Sequence, residues 1–355
     1  MNKTSFSLIA GALAGALVCA ATFAVVSIAR PGWLRSLVAP QPPPAIVVKP
    51  LPTEPGQPDV FSTATPIPNL PEPTPLPTDA AAACGGPQNL TIALLGVDDR
   101  EGNYSKPTRT DAISLVNVRF TDQTAALMSI PRDLYVAQPN LEHAGITQDR
   151  INTAWLHGAV YGVEGGGPAE LKNTVELNFG IRVHRYVLVN FGAFIQFVDA
   201  LGGIDMEVPE AIYDPRFPRE DGSGTFILEV PAGVNHFDGL AALRYARTRH
   251  QDDDYHRVRR QQLLLLAIRD RLLSPDVIPQ IPALIGALGG LVRTDLSAEE
   301  LAALACLGPQ IDRASIQTVP VTANNVIPWT TPTGAQVSIP NRDTLGPLVR
   351  TFLGQ

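Results

Sequence analysis

The sequence predicts one α/β domain, held behind an apolar N-terminal segment and a proline-rich linker. Three observations carry this. From residue 89 onward, short apolar runs bounded by polar turns alternate with amphipathic stretches of helical period. Phe6 to Ile28 is a run of 23 residues without a charge. At about 1.5 Å rise per residue, that length crosses a hydrocarbon core of about 30 Å. Between Pro40 and Pro77, 14 of 38 positions are proline, a composition that cannot bury a core and tends to polyproline II.

Composition bounds the rest. With 355 residues there is room for one large or two modest domains. The chain is 45% apolar and 17% charged. That excludes a charge-rich disordered chain and, for the chain as a whole, a multi-span membrane protein. A formal net charge of −7 argues against binding to nucleic acid. Three cysteines match no zinc spacing. Outside the cytoplasm, Cys84 and Cys306 could pair and tie the start of the domain to its last clear helix.

In chain order, residues 1–5 are expected to be a short cytoplasmic tail and 6–28 a transmembrane anchor. A cleaved signal peptide is the alternative, and either route exports the remainder. Residues 29–88 form a Pro/Thr-rich extracytoplasmic linker, and 89–355 the folded domain. Leu90 to Val97 reads as a buried strand, with two more at Ala112 to Phe120 and Thr124 to Ile130, around a turn at Thr121-Asp122. Ile151 to Tyr161 and Pro168 to Asn178 read as helices, with Gly165-Gly166-Gly167 as a loop. Arg185 to Asn190 is a strand, and Gly192 to Leu201 a helix ended by Gly202-Gly203. Ala241 to Tyr245 is a strand or a helix end ahead of an arginine-rich loop. Arg257 to Leu273 is a long amphipathic helix stopped by Ser274-Pro275. Leu296 to Leu307 is a helix with Ser297 as N-cap and Glu300 three residues on. Ile316 to Val321 is a late strand.

Three clusters bear chemistry. Gly96-Val97-Asp98-Asp99-Arg100 ends the first strand, and Thr108-Arg109-Thr110-Asp111 follows. Acids at the carboxyl edge of an α/β sheet sit where ligands bind, and two convergent carboxylates suit magnesium, which completes its shell with phosphate oxygens. Helix capping or ion pairing with Arg100 and Arg109 is the plainer alternative. Ser129-Ile130-Pro131-Arg132-Asp133 ends another strand at a proline and presents Arg132 from the sheet edge. From Arg244 to Arg260 the chain holds six arginines. Arg247 and Arg249 are two apart and share a side if extended, whereas Arg257 and Gln261 are four apart and share a helix face. Such a set can grip a pyrophosphate through charge-assisted bonds, unless Asp252, Asp253 and Asp254 neutralise it within a solvated loop. Phe191, Phe194, Ile195 and Val198 form one apolar helix face, with Leu264, Ala267 and Ile268 on another. These are core, or they line a lipid-tail groove.

In this order the clusters resemble the LytR-CpsA-Psr family of cell-wall glycopolymer transferases. The points of match are Gly-Val-Asp-x-Arg at 96–100, Arg-x-Asp at 109–111, Ser-Ile-Pro-Arg-Asp at 129–133 and Ile-Asn-x-Ala at 151–154. They continue with Val-Asp-Ala-Leu-Gly-Gly-Ile at 198–204, Gly-x-x-x-Phe-Asp-Gly-x-x-Ala-Leu at 233–243, Arg-x-Arg at 247–249 and Arg-x-x-Arg-Gln at 257–261. The resemblance implies a single-pass cell-membrane protein facing outward, with a central mixed sheet flanked by helices. It implies a phosphotransferase that moves a glycopolymer from a polyprenyl-pyrophosphate carrier to peptidoglycan with magnesium assistance. By motif position, Asp98 and Asp111 hold the metal and one of them activates the acceptor hydroxyl. Arg132, Arg247 and Arg249 bind the pyrophosphate, supported by Arg109, Arg257 and Gln261. Asp99 stands where serine is common in the family, and Arg150 where lysine is frequent; neither replaces a principal residue, and the two would tune metal affinity or donor choice. A non-catalytic wall regulator that binds lipid pyrophosphate or glycan, or a polyprenyl pyrophosphatase, is the alternative.

Overall fold

The computed structural model describes residues 82–99, 104, 106–220, 222–248, 254–277, 280 and 292–355. The expected anchor at 6–28, the linker up to residue 81, Arg100, Arg249, His250, Asp252 and Asp253 lie outside the described residues. Among the described residues, no helix is long and apolar enough to cross a membrane.

The domain starts with a three-strand meander, β1 (Asn89–Val97), β2 (Thr110–Arg119) and β3 (Thr124–Ser129). A small hairpin, β4 (Tyr135–Ala137) and β5 (Gln148–Arg150), leads into α1 (Ala154–Val160) and α2 (Gly166–Phe179). Next come β6 (Arg185–Asn190) and α3 (Phe191–Ala200). Then β7 (Ile204–Val208) pairs with β10 (Gly233–Phe237), and β8 (Ile212–Pro218) with β9 (Thr225–Val230) lies between them in sequence. The chain continues through α4 (Gly239–Arg247), α5 (Asp254–Leu272), β11 (Val292–Thr294), α6 (Ala298–Leu307) and β12 (Gln317–Pro320). It closes with the hairpin β13 (Val326–Thr330) and β14 (Gln336–Pro340), then α7 (Arg342–Leu353).

The main sheet runs β11-β6-β1-β2-β3-β12. β6 is parallel to β1 and β12 to β3, while the other pairs are antiparallel, so the sheet is mixed as expected. Side chains alternate between its faces. Ala93, Leu95, Ile113, Leu115 and Met128 are fully buried on one face, under residues of α1, α2 and α7. The other face carries Ile92, Leu94, Val116, Leu127, Val187 and Val189 in register. Leu94, Val116 and Val189 are only half-buried although they sit on inner strands. The reason is a cavity, treated below, between this face and α3, α5 and α6.

The local signals behave as their chemistry dictates. Ser297 accepts from the Glu300 amide and Glu300 reaches back to the Ser297 amide, a capping box. Cys84 and Cys306 form a disulfide with Cα atoms 5.7 Å apart. It ties the Ala83–Gly85 turn to α6, so ordered packing begins ahead of residue 89. Two expectations are corrected. Gly166 and Gly167 are not loop but open α2; a Cβ on Gly167 would lie 2.5 Å from the Trp155 carbonyl oxygen, so glycine there permits the close crossing of α1 and α2. Of the two readings of Ala241 to Tyr245 the helix holds, and Arg247 is the last residue of α4 rather than part of an extended segment. Asp238 caps α4 through the Ala241 amide, a signal ahead of the expected start.

Candidate active site

The site begins where β1 ends. Asp98 follows the strand, and Gly96 lets β2 approach: a Cβ there would meet that of Ala112 at 3.0 Å. Pairing runs Gly96 to Ala112 and then Val97 to Thr110, so Asp111 is the extra residue of a β-bulge. In a regular strand Asp111 and Ala112 would face opposite sides. With the bulge, Asp98, Asp111 and Ala112 all line one cavity.

Asp111 is held in place. Its Oδ1 accepts from Arg132 Nη1 at 2.8 Å and from Asn152 Nδ2 at 3.1 Å. The Asn152 amide in turn donates to the Arg132 carbonyl at 3.3 Å, locking the two loops together. Asn152 belongs to the Ile-Asn-x-Ala motif and is buried, and it was that motif's polar residue that the sequence offered as a signal.

The opposite rim comes from β8 and from α4 and α5. The Arg247 guanidinium stacks over the Phe191 ring at 4.6 Å and lies 5.7 Å from the Phe217 centroid. Asp214, buried, accepts from the Thr248 hydroxyl at 2.7 Å and from the Arg216 amide at 3.1 Å. That carboxylate pins β8 to the end of α4 and brings Arg216 and Arg247 to one rim. Arg257 and Gln261 share the expected face of α5 and both line the cavity. Gln261 also donates to the Ala246 carbonyl at 3.4 Å. Asn190 caps α3 through the Ala193 amide at 2.8 Å; its buried Nδ2 has no hydrogen-bond partner among the described residues. Nothing in the sequence placed Arg216 or Asp214 here, since both lie on a hairpin far from the motifs.

The cavity has a volume of about 630 Å³. Its lining passes along β2 from Ala112 to Val118, a length of roughly 20 Å at strand rise. Away from the charged end the walls are apolar, with Phe194, Leu264, Ile268, Leu304 and Ile316 among them. The Phe191 and Leu264 faces are therefore core on one side and cavity wall on the other.

Not every expected residue converges. Arg109 is exposed and absent from the cavity lining. Its charge adds to the lowering of the His157 pKa, which comes chiefly from burial and is opposed by Asp149. Asp99 does not line the cavity either; it is buried and its Oδ2 accepts from the Tyr104 amide at 2.6 Å. Its charge is thus spent on the loop after β1 rather than beside a metal. Tyr104 fastens that loop: its hydroxyl donates to the Leu188 carbonyl at 3.3 Å and accepts from the Asn190 amide at 3.1 Å. Burial pushes the Tyr104 phenol up to about 12, so it stays protonated in this role.

Among the described residues, no group of three His, Cys, Asp or Glu side chains could hold a metal alone. Asp98 and Asp111 line the same cavity, and a magnesium ion held by two carboxylates would need substrate phosphate oxygens and water to complete its shell.

The family model described as LytR_cpsA_psr matches residues 79–344. The chain is 33% identical over 217 residues to the polyisoprenyl-teichoic acid–peptidoglycan teichoic acid transferase TagU of Oceanobacillus iheyensis, covering 61% of each chain. The crystal structure of Bacillus subtilis TagV aligns with a TM-score of 0.60 at 25% identity, over 75% of this chain and 96% of that one. TagT bound to LIIa-WTA aligns with a TM-score of 0.53 at 25% identity, over 76% and 92%. The chain spans 51 to 61% of the length of the curated relatives it first matches. From the bulged aspartate, the arginine rim and the apolar cavity to the family match, the conclusion is that this chain belongs to the LytR-CpsA-Psr family.

Proposed function

We propose that the protein is a phosphotransferase that moves a glycopolymer from a polyprenyl-pyrophosphate carrier to a hydroxyl of peptidoglycan, outside the membrane that anchors it. The observation that carries this reading is one cavity with two chemistries: carboxylates and guanidiniums at one end, apolar walls along the rest. A prenyl chain fits the walls, and a pyrophosphate fits the rim. Transfer from a polyisoprenyl donor to peptidoglycan is what the name of TagU states, and it is extended to this chain here.

In this reading the donor tail fills the apolar part, and Arg132, Arg216, Arg247 and Arg257 take the phosphate oxygens. Arg132 exchanges its bond to Asp111 for one to phosphate. The acceptor hydroxyl oxygen attacks the phosphorus that bears the polymer. A new P–O bond forms, the P–O–P anhydride breaks, and polyprenyl phosphate leaves. Asp111 Oδ2 takes the hydroxyl proton, since both hydrogen bonds from Arg132 and Asn152 fall on Oδ1. The guanidiniums stabilise charge growing on the leaving phosphate, a contribution of several kcal/mol at such sites. Magnesium, when bound by Asp98 and Asp111, would add charge neutralisation at the same oxygens.

The test uses purified protein, a polyprenyl-pyrophosphate-linked saccharide, peptidoglycan and magnesium. Expected products are polyprenyl phosphate and a phosphodiester-linked saccharide on the wall, with loss on chelation. Arg132→Ala and Arg247→Ala should each lower turnover at least 100-fold with an unchanged circular dichroism spectrum. Full turnover in the double variant would remove this reading, and phosphate release to water alone would replace it with a pyrophosphatase.

A further inference from the structure

Beside the charged rim lies a second group of side chains that the proposed chemistry does not use. Asp133 follows Arg132 and sits 3.8 Å from its Nε. Arg150 reaches Asp133 at 3.5 Å and donates to the Gln336 carbonyl at 3.1 Å. Tyr135 pairs with Arg150 across the β4–β5 hairpin. Its ring meets that of Trp329, on β13, with centroids 5.5 Å apart and planes tilted by 54°. A bridge from Leu134 to Ser338 and the Ser338 amide on the Asp133 carbonyl fix the two hairpins against each other. Both rings remain half-buried rather than closed into the core.

From these contacts we infer that the Tyr135–Trp329 pair, with Asp133 and Arg150, is the subsite for the acceptor saccharide. The inference deepens the proposed transfer and rests on it for the word acceptor. Three features of this strip point to an uncharged sugar. The first is the pair of aromatic rings, which offer flat apolar faces with polar edges, the match for a pyranose with its axial hydrogens on one side and hydroxyls around the rim. The second is charge. Asp133 faces both Arg132 and Arg150, and Asp149 accepts from the Arg150 backbone amide, so the arginines of this strip are matched by acids, whereas the rim of the cavity is rich in arginine. The third is continuity. Tyr135 is three residues from Arg132, which places their Cα atoms within about 11 Å. A saccharide stacked on the rings would run past Asp133 toward Arg132, the partner of Asp111, and the planar Asp133 and Arg150 groups can hydrogen-bond its hydroxyls and acetamido groups.

The probe is the soluble tetramer of β-1,4-linked N-acetylglucosamine, an uncharged stand-in for the peptidoglycan backbone, and binding is read by ligand-observed NMR on the full chain. Saturable binding is expected, weakened at least tenfold by Trp329→Ala and left intact by excess inorganic pyrophosphate. In the transfer assay, Trp329→Ala should raise KM for the acceptor at least tenfold while KM for the donor stays within twofold. If alanine unfolds the hairpin, Trp329→Phe keeps a packing ring with a smaller face and should weaken the tetramer several-fold. Absence of tetramer binding, or equal binding by wild type and Trp329→Ala, overturns the inference. Binding lost in Trp329→Ala without any transfer by wild type upholds the saccharide site and refutes the phosphotransferase reading instead, so the two failures are distinguishable.

Discussion

Filling the cavity provides a stringent test of the tail-binding assignment. Val116 faces the cavity five residues along β2 from Asp111, roughly 17 Å from the charged end. Val116→Phe adds four carbons to a half-buried wall. At about 0.8 kcal/mol per buried methylene, displacing a comparable number of tail carbons weakens a long-chain donor by about 3 kcal/mol, roughly 100-fold. The same ring buries itself in the cavity when no donor is present, gaining about 1–2 kcal/mol, which for a domain of this size raises Tm by about 2–6 °C. A donor with a prenyl group too short to reach past Ser114 should not sense the change. Scanning calorimetry without donor, and KM for long and short donors, measure both sides. Equal losses for the two donors, or no loss for the long one, would show that the tail lies elsewhere. The strength of this design is that stability rises as affinity falls, so damage to the fold cannot imitate the result.

Three further perturbations follow from individual contacts. Asn152→Ala removes a hydrogen bond to an ionised carboxylate, worth about 1.5–3 kcal/mol; kcat should fall about 10- to 100-fold with donor KM little changed, and a change confined to donor KM would contradict the positioning role. Glu170 is buried on α2, and burial pushes its carboxyl up from 4.5 against hydrogen bonds from Asn140 and Thr174. A folded-state pKa above the unfolded value means that native protein keeps the proton longer, so its contribution is lost as pH rises through the window above about 4.5. Glu170→Gln should therefore match wild type at about pH 4 and exceed it at neutral pH in urea unfolding; a loss at neutral pH would show that the charge is needed. The Cys84–Cys306 disulfide closes a sequence separation of 222 residues. By denatured-state entropy its loss in Cys306→Ser costs up to about 5 kcal/mol, read as a lower urea midpoint that wild type reproduces under reductant, and an unchanged midpoint would show that the bond does not form in solution.

The sequence by itself determined the strands of the meander, β6, the long helix α5 and the capped helix α6, because each is coded by local patterning: alternation, helical period, or a cap. It also pointed to the family, through motifs whose order is specific. The hairpins β4–β5, β7–β10 with β8–β9, and β13–β14 were not legible, since their strands are short and half-exposed and carry no unbroken apolar run. Arg216, Asp214 and Trp329 ride on those hairpins and were missed with them. Only the tertiary structure decided that Asp111 turns inward, because a bulge is a mismatch between two strands and neither strand encodes it alone. Tertiary structure likewise separated Asp98 from Asp99, giving one to the cavity and the other to the Tyr104 amide. The cavity itself is a property of packing: the same leucines and valines would read as core in any sequence, and only the spacing of α3, α5 and α6 above the sheet leaves room between them.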